Sequence, residues 1–85
     1  MNQFATPEFW HHYRTLPDPI RALADKYFRL LMNDPLHPSP RFKPIGEFWS
    51  ARVGLHYRAL AKHRPEGVVW FWIGHHSNYD RLLKS

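Results

Sequence analysis

The hydrophobic positions of this chain change period part-way along it, and the change separates helices from strands. Phe9, Tyr13 and Leu16 recur at helical spacing with Trp10 beside them, directly after Thr6-Pro7-Glu8. Thr6 suits an N-cap, Pro7 the first helical position, and Glu8 faces the positive end of the helix dipole. Pro17 closes this short helix, because the residue before a proline is pushed out of the helical region. Asp18-Pro19 repeats the start signal. Ile20, Leu23, Ala24, Tyr27, Phe28 and Leu31 then follow at i, i+3, i+4, i+7, i+8 and i+11, a full amphipathic stripe. Arg21, Asp25 and Arg29 occupy the far side, with Asp25 and Arg29 spaced for an i,i+4 pair. Asn33-Asp34-Pro35 ends the segment. Only Leu16-Pro17-Asp18 separates the two helices, which predicts an antiparallel helical hairpin with its aromatic stripe in the core.

Residues 34–46 hold Pro35, Pro38, Pro40 and Pro44 and are expected to form an ordered connector. From Phe48 onward the period is two. Phe48–Val53 and Leu55–Lys62 read as strands around Gly54, with Leu55, Tyr57, Ala59 and Ala61 on one face. His56, Arg58, Leu60 and Lys62 take the other. Arg64-Pro65-Glu66-Gly67 is a turn, and Val68–Ile73 is a β-branched and aromatic run suited to a covered strand. Gly74 breaks that run, and Ser77 is placed as the cap of a short terminal helix through Leu83. The expected class is α+β: an N-terminal helical hairpin on one face of a small antiparallel sheet of three to four strands. Gln3-Phe4-Ala5 is the candidate fourth, edge strand.

Composition narrows the chemistry. At 85 residues, positions 1–85 are expected to be a single domain. The 6 Phe, 4 Trp and 4 Tyr supply large rings to a core that a chain this short cannot otherwise fill. With no cysteine, disulfide scaffolds, thiol catalysis and thiolate metal sites are excluded. The longest apolar run, Val68–Ile73, is far too short for a membrane span, and the N-terminus shows no signal-peptide pattern. A soluble cytoplasmic protein without a membrane partner is expected. The net charge of +5 is unevenly placed. Residues 1–35 balance their charges, whereas residues 36–85 set Arg41, Lys43, Arg52, Arg58, Lys62, Arg64, Arg81 and Lys84 against only Glu47, Glu66 and Asp80. Such asymmetry suits a polyanionic partner, nucleic acid above all, or else a solvated basic face.

Arg52 and Arg58 fall on neighbouring strands around Gly54, near-opposite or diagonal, so that both guanidinium groups can point at one ligand. The competing reading pairs them with Glu47 or Asp80. Seven histidines are present, but no HxH or HExxH spacing occurs, so no metal site and no cofactor is expected. His11 and His12 read as surface and cap residues of the first helix, His37 sits in the proline connector, and His56 and His63 flank the second strand. His75 and His76 differ, because they end the most buried strand and precede Tyr79 and Asp80. An imidazole and a phenol beside two arginines make an acid/base group with a clamp for phosphate charge. The plain alternative is a histidine at a helix start with Tyr79 in the core. Trp70 and Trp72 share one parity and Val69, Phe71 and Ile73 the other, so one set is expected to meet the helices. The other is free to be core or a stacking platform for bases.

Taken in order, Phe42-Lys43, Trp49-Ser50-Ala51-Arg52-Val53-Gly54, Tyr57-Arg58-Ala59-Leu60, Trp70-Phe71-Trp72-Ile73-Gly74 and His76-x-x-Tyr79-Asp80 resemble the RelE/ParE superfamily of bacterial type II toxin–antitoxin toxins. The likeness spans nearly the whole chain. It implies a small basic toxin that inhibits growth and is neutralised by a cognate antitoxin. For RelE-type members it implies entry into the ribosome and cleavage of mRNA, with the 2′-hydroxyl attacking the adjacent phosphate without a metal. On that pattern Arg58 stabilises the phosphorane, Arg52 and Lys43 match basic positions, and His76 falls where members carry a basic group. Tyr79 lies near a tyrosine that stacks on or orients the base, and Arg41, Lys62 and Arg81 are further RNA-binding candidates. ParE-type relatives share the fold but inhibit DNA gyrase by binding it, and a toxin fold without activity is a third possibility. Ser50 and Ala51 make the first strand less basic than in RNA-cutting members, and the N-terminal strand is expected to be almost absent.

Overall fold

Thr6 caps as expected: its Oγ1 accepts the Phe9 amide at 3.2 Å, and helix α1 runs over Pro7–Arg14. In this computed structural model, which describes residues 2–33 and 42–84, α2 follows at Asp18–Asn33. The two helices meet through the edge of Phe9 on Phe28, ring centroids 5.3 Å apart. They also meet where the Tyr13 hydroxyl donates to Asp25 Oδ1 at 2.7 Å. Asp25 therefore serves the neighbouring helix and not Arg29, the partner that its spacing predicts. That bond and the nearby negative charge push the Tyr13 pKa above its ordinary value of 10.0.

The sheet is larger than expected, with five strands in the order β1-β5-β4-β3-β2. Strand β1 (Asn2–Ala5) is fully formed, against the expectation of a near-absent N-terminal strand, and pairs parallel with β5 (Gly67–His75). Strand β2 (Phe42–Ile45) occupies the end of the predicted connector and pairs antiparallel with β3 (Phe48–Val53). Pro44 is tolerated there because β2 is the sheet edge among the described residues, where no further strand needs its missing N–H. The rest of the connector, with His37 and Arg41, lies outside the described residues. Strand β4 is Tyr57–Arg64, so residues 54–56 form the turn. Leu55, expected on the apolar face of a strand, sits in that turn and is 80% exposed. Gly54 holds φ at +68°, the left-handed region that favours glycine.

The main core lies between the helices and one face of the sheet, and it is apolar throughout. Phe9, Leu16, Ala24, Val53, Ala59, Ala61, Val68, Trp70 and Ile73 are buried there. Trp70 keeps its indole N–H satisfied by donating to Gln3 Oε1 of β1 at 2.7 Å. Leu60, Trp72 and Tyr79 form a smaller core on the opposite face. The shared parity of Trp70 and Trp72 does not survive folding. Leu60 pairs with Trp72 but Ala61 with Trp70, so β5 carries one extra residue, Phe71, opposite β4. This bulge sends Trp70 to the helices and Trp72 to the second face, while Ile73 returns to the main core. The Trp72 ring then lies so close over Gly74 that a Cβ at that position would come within 2.7 Å of it.

Helix α3 (His76–Lys84) covers part of the second face. Its start is capped by His75 and not, as expected, by Ser77. The Ser77 amide donates to His75 Nδ1 at 3.2 Å, and the Ser77 hydroxyl lies 3.0 Å from the same atom. An imidazole at the end of β5 reaches the orphan N–H of the first turn, which a hydroxyl inside the helix does not.

Candidate functional site

The arginines converge because of register. In the β3–β4 hairpin Arg52 stands directly opposite Arg58, on the face away from the main core, since Val53, Ala51, Tyr57 and Ala59 turn toward the helices. Like charges placed directly opposite each other repel. The fold holds them there nonetheless, with Arg52 exposed and Arg58 half-buried. The Arg58 guanidinium donates to the Tyr57 carbonyl at 2.8 Å and to the Leu55 carbonyl at 3.5 Å, which ties it to its own turn. Among the described residues neither arginine forms an ion pair with Glu47 or Asp80; the ion pair there joins Arg21 to Asp18. Two guanidinium groups without a carboxylate between them form a seat for an anion.

On the far side of Arg58 stands Gly74 of β5, two residues before His76. The same end of the sheet therefore collects the arginine pair and the start of α3. The His76 amide donates to the His56 carbonyl at 2.8 Å, which fixes the β3–β4 turn against the helix start. His75 and His76 bring their ring centroids within 4.4 Å, and His56 stacks on His75 at 6.1 Å and tilts against His76 at 5.9 Å. One ring nitrogen from each of the three lies within 4.8 Å of the others. The sequence places His56 at the flank of the second strand, on the Arg58 face; it lies instead in the turn before β4. Its signal was position alone: it sits in the turn joining the strands that carry Arg52 and Arg58.

The remaining candidates divide. Tyr79 is 8% exposed, packed on Leu60 and Trp72, and donates its hydroxyl to the buried Ser50 at 3.1 Å. It anchors α3 to β3 and presents no ring face to solvent. Ser50, noted in the sequence only as a missing basic residue, is the acceptor for that anchor. Lys62 is exposed on the arginine face, its ammonium 5.8 Å from the Phe48 ring centroid and 5.4 Å from that of Phe71. Those two rings, 5.4 Å apart, half-buried and inclined at 57° to each other, form an aromatic patch beside the cation. The spacing arguments had not singled out Phe48. Lys43 holds a place in β2 opposite Ser50. Arg81 lines a groove of about 490 Å³ along β5 that His12, Tyr57, Trp72, Gly74 and His75 also border, so it reaches the histidine end of the sheet from the helix side. Arg52, Arg58 and Lys62 share one face, whereas Arg81 belongs to that groove and Arg41 lies outside the described residues.

No protein-family model and no curated protein sequence matches this chain. Solved structures do. A chain of the RelB–RelE antitoxin–toxin complex from Methanococcus jannaschii superposes with a TM-score of 0.76 at 19% identity, covering 92% of this chain and 96% of that one. A chain of the RelBE2 toxin–antitoxin complex from Mycobacterium tuberculosis gives 0.68 at 27% identity, covering 87% and 95%. The YoeB/ParE toxin from Agrobacterium tumefaciens gives 0.67 at 18% identity, covering 89% and 99%.

Proposed function

We propose, from a chain that has the fold of RelE, YoeB and ParE toxins, that it is the toxin of a type II toxin–antitoxin pair and cleaves mRNA on the ribosome. The observation that carries this reading is the direct opposition of Arg52 and Arg58, without an intervening carboxylate, at the end of the sheet where α3 begins at His76. In the reaction the RNA 2′-hydroxyl attacks the adjacent phosphorus. The bond to the 5′ oxygen breaks, leaving a cyclic phosphate and a free 5′-hydroxyl. Arg58 and Arg52 hold the negative charge that builds on the phosphorane oxygens, a contribution of order 10²–10³ in rate for one preorganised donor. His76 moves the proton, taking it from the 2′-hydroxyl or giving it to the leaving oxygen, for roughly 10²–10⁴. Lys62, with Phe48 and Phe71, supports the strand by charge and stacking. Tyr79 acts as a positioning residue that keeps α3, and so His76, in place through Ser50. Two of the similar structures are antitoxin complexes, and a cognate antitoxin is the expected partner here.

The test is induction of the protein without a partner, with translation, mRNA 5′ ends and DNA breaks followed in the first minutes. Rapid arrest of translation with new 5′ ends on ribosome-bound mRNA, relieved by Arg58→Ala and by His76→Ala, supports cleavage. DNA breaks with translation intact, unaffected by either substitution, identify instead a gyrase-binding inhibitor.

A further inference from the structure

The histidine cluster has a chemistry that the arginine pair does not need. We infer that His56, His75 and His76 form a binding site for one zinc-class divalent metal ion per chain. Three imidazoles, one nitrogen from each within 4.8 Å of the others, are a ligand set that suits zinc, nickel or copper and not magnesium or calcium, which take oxygen. The three come from three elements that the backbone already joins. His56 lies in the β3–β4 turn, His75 ends β5, and His76 opens α3 with its amide on the His56 carbonyl. Their rings are in mutual contact, and none is sealed from solvent: His56 is exposed, and His75 and His76 are half-buried. An ion therefore has both an entry path and a vacant fourth position for water or an anion.

Tetrahedral zinc with Zn–N bonds of about 2.0–2.1 Å sets its ligand nitrogens roughly 3.4 Å apart. From nitrogens within 4.8 Å of one another the cluster must contract by up to about 1.4 Å, and His56, on an exposed turn, is the side chain free to move. His75 pays for its part in hydrogen bonding. Its Nδ1 accepts the Ser77 amide, so the nitrogen left for an ion is Nε2. With metal on Nε2 the ring proton moves to Nδ1, where the Ser77 hydroxyl at 3.0 Å accepts it and the amide bond is given up. A ligating imidazole with its other N–H donated to a fixed oxygen is the usual arrangement at metal sites. The net positive charge of the chain and the nearby arginines disfavour a bare cation. That cost falls when an anion occupies the fourth position. The inference stands without the RNA-cleavage reading, although the two share His76.

The experiment is titration of the full-length protein with zinc chloride, followed by calorimetry, by thermal unfolding and by the amide resonance of Ser77. Binding of one ion per chain, a zinc-dependent rise in Tm and a shift of the Ser77 amide are expected, with no response to magnesium. His56→Gln, in an exposed turn, should keep the fold and weaken zinc binding at least tenfold. His11→Gln with His12→Gln controls for the pair on α1, where His11 is exposed and His12 half-buried, and should leave zinc affinity and stoichiometry unchanged. Zinc binding weaker than about 0.1 mM in the unaltered protein, or an unchanged affinity and stoichiometry in His56→Gln, overturns the assignment. Neither outcome depends on whether the protein cuts RNA.

Discussion

One face of the sheet meets α1 and α2 through Phe9, Val53, Ala59, Trp70 and Ile73 without a charged side chain among its buried members. The other buries Leu60, Trp72 and Tyr79 beneath α3, with the partly buried Ile45, Phe48 and Phe71 against them, and around them stand Ser50, Arg52, Arg58 and Lys62. The first face gains stability by removing large rings from water, about 2–3 kcal/mol for each fully buried side chain. The second buries too little to dominate folding, and so tolerates two opposed guanidinium groups that a core would reject. A small sheet can carry two opposed cations on one face when the opposite face supplies most of the stability.

That division is open to breakage. Trp70→Ala should cost about 3–5 kcal/mol, a large part of the 5–15 kcal/mol typical of a folded domain, read as a drop in urea midpoint. Arg58→Ala should leave stability within about 0.5 kcal/mol while lowering RNA cleavage roughly 100-fold or more. A stability loss comparable to that of Trp70→Ala would erase the distinction between the faces. Gly54→Ala should cost about 1–2 kcal/mol, because an L-residue resists φ +68° and the new Cβ would sit 3.2 Å from Leu23 Cδ2. Tyr79→Phe should cost about 1 kcal/mol by leaving the Ser50 hydroxyl without its donor. If Tyr79 only positions α3, this variant should lower the turnover of cleavage and leave RNA affinity intact.

The smallest effect concerns α1 and α2. Tyr13→Phe should cost less than about 1 kcal/mol at neutral pH. Asp25 raises the Tyr13 pKa, so the folded state holds that proton more tightly than the unfolded state does. The contribution is therefore complete below pH 10 and is lost as pH rises through the folded-state value. The stability difference between Tyr13→Phe and the unaltered protein should shrink in that alkaline window.

The helices were legible because their signals are local: Thr6, Pro7 and the 3.6-residue stripe of α2 lie within a few residues of what they determine. The opposition of Arg52 and Arg58 followed from one turn. What escaped was non-local. Nothing near Gln3 announces a parallel partner in β5, and nothing near Trp72 announces the extra residue that reverses its face. The burial of Tyr79 depended on Ser50, 29 residues away. His56 joined His75 and His76 only through the packing of a turn against a helix start. Two-residue alternation assumes an unbroken ladder, and the ladder slips midway along β5, at Phe71.

The parallel pairing of β1 with β5 bears on how the molecule comes into being. The indole of Trp70 waits for an acceptor supplied by Gln3, 67 residues earlier. Phe9 and Phe28 likewise pack around a ring that is translated long after them. Closing so long a loop slows folding, and here it also sets the order of events during synthesis. The helical segment leaves the ribosome with its apolar stripe uncovered and gains a core only when β5 has emerged. The arginine-bearing hairpin, complete with His56 before β5, therefore acquires His75 and His76 in the same step that closes the core. A chain interrupted before Trp70 has neither a core nor a site.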